Sequence, residues 1–177
     1  MVSVIMVVGS AYTIQTMINW KIDSEKAVVK FSLNAHGQEL IGNFKGAKGV
    51  IKFEDNDLAN SSVECTIDIS TINTGIEPRD KHLQKKEFFD VTGFPVGKFN
   101  STKIEKTATG YLATGKLTLK KTTRDISIAF TYDGSKTVGS FKGSFQIKRS
   151  DFGIGEADED IGDDITVSLD IPVSMIN

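Results

Sequence analysis

Few side chains of this chain have the types and the spacing that catalysis requires. Its 177 residues include two histidines, His36 and His82, and neither a G-x-S-x-G elbow nor an H-E-x-x-H pair occurs. His82 could act as an acid or base with Asp80 or Asp90 on a small hydrophobic substrate. Residues two apart on a helix point in different directions, however, which disfavours a pair with Asp80. We therefore predict a polar role for His82 and no catalytic residue.

Metal binding is the second chemistry that the sequence suggests. The segment 156–164 is strongly acidic, and calcium requires several oxygen ligands. The segment lacks the alternating D-x-D-x-D-G pattern and lies between two predicted strands. It is therefore interpreted as a solvated loop, and neither a metal nor another cofactor is expected.

Composition excludes some of the remaining classes of function and partner. A formal charge of -2 provides no broad cationic field, so nucleic acid is not an expected partner. Cys65 is the single cysteine, which excludes an internal disulfide. It alternates with apolar neighbours and is expected to be a small buried hydrophobe. The length fits one domain with a substantial core.

The elements that position these residues are mostly strands. Apolar and polar residues alternate in one segment after another, for example over 126–132 and 165–173, which indicates antiparallel strands with one dry face. The exception is a short helix predicted at about 78–90, with Pro78 in its first turn and Gly93 and Pro95 after its end. About eight strands could form a sandwich or a barrel, and periodicity alone does not choose.

An ordered set of short motifs resembles the YceI-like family of lipid-binding β-barrels. The resemblance extends from about Trp20 to the C-terminus and implies one domain over 17–177. It implies an elongated, antiparallel, lipocalin-like barrel. The motifs are Thr74-Gly75, Arg79-Asp80-Lys81-His82-Leu83, Phe88-Phe89-Asp90, Phe94-Pro95, Phe99-Asn100-Ser101-Thr102, Gly115-Lys116-Leu117-Thr118-Leu119 and Arg149-Ser150-Asp151-Phe152-Gly153.

The resemblance further implies noncovalent binding of a long-chain isoprenoid or similar lipid, as a carrier or store. Periodicity alone favours a packed core, and a ligand-free interaction module is the alternative. Head-group or mouth positions are expected at Arg79, Asp80, His82 and Arg149. The residues expected to line the lipid site are Val29, Phe31, Leu33, Leu117, Leu119, Phe141, Phe145 and Phe152.

The sequence also leads to expectations about cellular location and oligomeric state. The run Val2–Val8 is apolar and a small-x-small pattern follows it, so residues 1–16 are interpreted as a signal-peptide remnant, with an N-terminal arm as the alternative. The run is too short to span a bilayer, so no stable membrane insertion is expected. Export to the periplasm or outside the cell, and a homodimer, complete the predictions.

Overall fold

The structure of the protein is a computed structural model that describes residues 17–156 and 160–176. The expectation for residues 1–16 lies outside the described residues. The elements, in chain order, are β1 (Asn19–Ile22), β2 (Val28–Ala35), β3 (Gln38–Phe44), β4 (Lys48–Lys52), β5 (Ser62–Asp68), α1 (Glu77–Leu83), β6 (Val96–Thr107), β7 (Gly110–Leu119), β8 (Thr122–Gly134), β9 (Val138–Lys148) and β10 (Asp164–Met175), with short 3-10 turns at Leu58–Asn60, Ile69–Thr71 and Ser150–Phe152.

The sheet closes on itself because β10 pairs with two strands on one edge. Val173 to Met175 pair with β1, and Thr166 to Asp170 pair with β2. β4 pairs with β1, and β3 pairs with β2. β1 and β2 together therefore act as one interrupted wall strand, and β3 and β4 together act as the next. The other antiparallel pairings follow chain order from β4 to β10. The predicted all-β barrel of about eight strands is confirmed.

Local backbone chemistry explains the two interruptions. Between β1 and β2 the chain turns, with the Ala27 amide donating to the Asp23 carbonyl over 2.8 Å. The Asp23 carboxylate accepts from the Lys26 ammonium at 2.9 Å. Between β3 and β4, Gly46 adopts a φ of 72°, a left-handed conformation that favours glycine. Each long strand therefore bends without leaving the barrel wall.

The segment between β5 and β6 carries the helix, which is shorter than predicted. α1 ends at Leu83, whereas the pattern suggested about residue 90. Beyond it the Lys85 amide bonds to the His82 carbonyl, three residues back, and the Asp90 amide bonds to the Lys85 carbonyl. Asp90 has a φ of 49°, outside the helical region. A chain of tight turns therefore continues over 84–94, and we call residues 73–94 the lid segment.

Aromatic side chains close the barrel end where β8 turns into β9, and we call them the aromatic plug. Phe53 lies at their centre, with its ring centroid 4.9 Å from that of Tyr111 and 5.3 Å from that of Phe141. Edge-to-face contacts of this kind add to the burial of the rings. The plug consists of Trp20, Phe53, Tyr111, Phe130, Tyr132 and Phe141.

Replacing the central ring tests the plug. Phe53→Ala removes a 4 % exposed side chain, and we expect it to lower the free energy of unfolding by about 3–5 kcal/mol. Val138→Ala is the control, since Val138 is 58 % exposed near the same end, and its effect should stay within about 0.5 kcal/mol. Equilibrium urea unfolding measures both. Equal effects would show that the plug does not stabilise the barrel.

Candidate functional site

Two adjoining cavities occupy the barrel. The inner cavity, beside the aromatic plug, has a volume of ≈ 140 Å³, and the outer cavity, beneath the lid segment, has ≈ 290 Å³. Four residues line both cavities: Val29, Ile67, Leu117 and Phe145. The two spaces therefore adjoin inside the barrel, and we call them together the tunnel and its lid-covered end the mouth.

The lining of the outer cavity is apolar except at three positions. Arg79 and His82 lie on α1, and Arg149 follows β9. All other residues lining this cavity are aliphatic or aromatic, and no carboxylate of the described residues is among them. The strands create this lining because alternate side chains of each strand point inward. The tunnel can therefore take a hydrocarbon, with cationic groups at its mouth.

Most of the residues predicted to line a lipid site border the tunnel. Phe141 lines the inner cavity. Phe152 borders neither cavity among the described residues and is packed, 2 % exposed, in a core cluster with Phe99 and Ile154. The predicted residues that line the outer cavity are Val29, Phe31, Leu33, Leu117, Leu119 and Phe145.

The lid segment contributes lining residues that the prediction did not include. Leu83, Phe88 and Phe89 line the outer cavity. The ring of Phe89 lies 5.7 Å from that of Phe44, centroid to centroid, in an edge contact. Their apolar spacing was visible in the sequence as a stripe that packs on the barrel. That stripe forms part of the cavity wall.

The predicted mouth residues on α1 have different surroundings. Asp80 accepts from the backbone amide of Thr74 at 2.8 Å and from its hydroxyl at 2.5 Å, which ties down the start of the helix. Arg79 donates to the same hydroxyl at 2.7 Å and to the Thr74 carbonyl at 2.9 Å. The His82 ring packs on Phe88, 4.9 Å between centroids. No hydrogen bond or ion pair within residues 17–156 and 160–176 joins His82 to Asp80.

Arg149 is a buried cation surrounded by backbone carbonyl groups. Its residue is 6 % exposed. Nε donates to the Gly162 carbonyl at 3.1 Å, and Nη2 donates to the Ile161 carbonyl at 2.9 Å. Nη1 donates to the carbonyls of Ile154 at 3.2 Å and Glu156 at 2.6 Å. The side chain therefore connects the two sides of the loop between β9 and β10, beside the outer cavity.

The acidic loop is partly described. Asp163 accepts from the Ser150 amide at 2.9 Å and from its hydroxyl at 2.8 Å. These bonds, followed by the charges of Lys148 and Arg149, hold the pKa of Asp163 below its usual value. Among the residues with a described position, no three His, Cys, Asp or Glu side chains form a group that could hold a metal ion. Within the same residues, no helix has the length and apolar character needed to cross a membrane.

Comparisons with known proteins give a consistent family assignment. The family model described as the YceI-like domain matches residues 20–173. The UPF0312 protein YE1254 of Yersinia enterocolitica is 33% identical over 144 residues, which cover 76% of this chain and 75% of that protein. A UPF0312 protein of Photorhabdus laumondii, plu2095, is 32% identical over 143 residues, covering 76% and 74% of the two chains.

Solved structures share the fold. BcnA of Burkholderia cenocepacia superposes with a TM-score of 0.79 and 25% identity, covering 85% of this chain and 98% of BcnA. The YCEI protein of Campylobacter jejuni gives a TM-score of 0.70 at 29% identity, covering 79% and 86% of the two chains. A polyisoprenoid binding domain from Saccharophagus degradans gives 0.68 at 14% identity, covering 89% and 98%. This last likeness concerns the fold alone.

Cys65 lines the inner cavity, and its thiol can report on access to the tunnel. Burial raises the pKa of the Cys65 thiol to about 11. We expect alkylation by N-ethylmaleimide to be about a hundred-fold slower than in unfolded protein at pH 8, and to accelerate about ten-fold per pH unit from pH 8 to 10. Mass spectrometry of quenched samples measures the rate. A rate that levels off near pH 9 would contradict this account.

Proposed function

Since its match to the family model covers residues 20–173, the protein belongs to the YceI-like family, and we propose that it binds one long-chain amphiphile noncovalently inside the barrel. The ligand class is an isoprenoid or a lipid of similar shape, and the role is carriage or storage without catalysis. The observation that carries the proposal is the pair of adjoining apolar cavities, bounded by the aromatic plug at one end and by cationic side chains at the other.

The two ends of the tunnel support one orientation of the proposed ligand. The inner cavity ends at the aromatic plug, where Phe130 and Phe141 line it, so a hydrocarbon tail can be fully buried there. At the mouth, Arg79, His82 and Arg149 provide hydrogen-bond donors. A ligand with an apolar tail and a polar head therefore enters tail first. The proposal places the head beneath the lid segment.

Rough magnitudes favour long tails. Burying one CH₂ group contributes ~0.8 kcal/mol, so a five-carbon isoprenoid unit contributes roughly 3–4 kcal/mol before other terms. Association costs about 4–15 kcal/mol in lost freedom and ordering. Two or more units are needed to offset that cost. Short hydrocarbons should therefore bind weakly, and affinity should increase with each added unit until the tunnel is filled.

The family likeness supports the same proposal. The Saccharophagus degradans domain is named for polyisoprenoid binding, and its fold covers 89% of this chain. A shared fold of this kind can enclose such a ligand, and here the described side chains leave the required space. Export to the periplasm or outside the cell, and a homodimer, stay predictions from the sequence.

A substitution at the junction of the two cavities tests the proposal. Val29→Trp places an indole where the two cavities adjoin. It should weaken the binding of geranylgeraniol by at least roughly ten-fold. The binding of geraniol should be weakened less, because only the longer tail must pass this junction. Lys30→Trp is the matched control, on the exposed face of the same strand. Displacement of a fluorescent hydrophobic probe measures the affinities.

Two outcomes of this titration would contradict the proposal. One is wild-type protein that fails to bind any prenol more tightly as the tail lengthens. The other is equal long-tail affinity in the Val29→Trp and Lys30→Trp variants, with both variants folded by circular dichroism.

A further inference from the structure

Arg149 carries a buried positive charge beside the apolar outer cavity. The residue is 6 % exposed and lines the outer cavity, whose other residues are apolar apart from Arg79 and His82. Removing a charge from water is costly unless it is paired and hydrogen-bonded. Four backbone carbonyls of the described residues supply hydrogen bonds to Arg149. Among the ion pairs of the described residues, none includes Arg149.

Two carboxylates near the mouth, Asp163 and Asp80, are committed to other groups. Asp163 accepts two hydrogen bonds from Ser150 and lies 3.7 Å from the Lys148 ammonium. Asp80 accepts two hydrogen bonds from Thr74. The charge of Arg149 lowers the pKa of Asp163 less than the two hydrogen bonds from Ser150 do. Neither acid is among the residues that line the outer cavity.

The carbonyl cradle leaves donor capacity toward a ligand. A guanidinium has five N–H groups, and four of those of Arg149 bond to carbonyls. Arg79 uses two of its five on Thr74. Gly155 allows the loop to approach Arg149 closely, because a Cβ there would lie 3.1 Å from Nη1, and its φ of 71° favours glycine. The loop is thus shaped around a cation beside the cavity.

These observations lead to a ligand class. We propose that the head of the bound amphiphile carries a negatively charged oxygen, a carboxylate or a phosphate, and that it pairs with Arg149 and Arg79 at the mouth of the tunnel. The inference rests on the proposed function, because the head is positioned by a tail inside the barrel. An anion there supplies the countercharge that the described cavity wall lacks. Charge-assisted bonds to guanidinium groups are roughly twice as strong as neutral ones.

The test compares ligands that differ only in the head. Palmitic acid is compared with hexadecanol, and geranylgeranyl phosphate with geranylgeraniol, by probe displacement on the wild-type protein at pH 8. We expect each anion to bind roughly ten- to a hundred-fold more tightly than its alcohol. If only one anion shows the preference, its head is the class that the site accepts.

Variants assign the preference to residues. Arg79→Gln should reduce the ratio of anion to alcohol affinity by at least about five-fold, whereas Lys85→Gln, an exposed charge on the lid segment, should leave it unchanged. Arg149→Lys keeps the charge but loses donors, and should retain part of the ratio. Arg149→Gln should abolish the ratio, while alcohol affinity reports whether that variant is still folded.

The outcomes separate the two proposals. Equal affinity of acid and alcohol in the wild type overturns the anionic head but leaves lipid binding intact. A ratio that decreases as much in Lys85→Gln as in Arg79→Gln also overturns it, since the effect would then come from general surface charge. Failure of all four ligands to bind would contradict the proposed function itself.

Discussion

The pairing of β10 with both β1 and β2 is the interaction on which the structure depends. This pairing completes a ring of eight wall strands, and in such a ring strand number and tilt set the width. Side chains then either fill the interior or leave a space. The inner wall carries small residues at Gly97, Ala113 and Gly143, all of which line the inner cavity. The closed ring therefore encloses a void, and these small residues form part of its wall.

The two ends of the ring differ in construction. Strands and aromatic rings close one end, where the plug buries large apolar surface. At the other end the lid segment and the loop after β9 cover the tunnel, and their backbone meets the barrel strands in isolated bridges, Asn73 with Asn43 and Ile161 with Ala35. Their attachments include the Lys120 ammonium, which donates to the Gly153 carbonyl at 2.6 Å, and the Gly155 amide, which donates to the Glu87 carbonyl at 2.9 Å. The proposed ligand would enter at this end, where polar contacts of this kind hold the cover beside the packing of Phe88 and Phe89.

The wall was predictable because strand alternation is a property of consecutive residues. Phe141 and Phe145 were assigned inward positions by period-two spacing, and both line the tunnel. Periodicity could not predict the hollow interior, since an inward residue looks the same in a packed core. Only the motif resemblance favoured a cavity. Phe152 lies beyond the end of β9, in the 3-10 turn, where strand alternation no longer determines direction.

The mouth was less predictable because its partners are backbone atoms. Arg149 was expected at the mouth, but four carbonyl oxygens of residues 154–162 leave no signature in a sequence. Asp80 was also expected at the mouth, and its hydrogen bonds from Thr74, six residues earlier, could not be predicted from spacing alone. The helix end at Leu83 depends on tertiary contacts of Phe88 and Phe89 with the barrel, which outweigh the helical pattern after it.

Native mass spectrometry of the protein, purified from a bacterial host without added lipid, tests the central claim most directly. The account predicts a complex heavier than the chain by the mass of one long-chain lipid, released on denaturation and identified by extraction. A chain that repeatedly shows its bare mass, and stays bare after incubation with long-chain prenols and fatty acids, would contradict it.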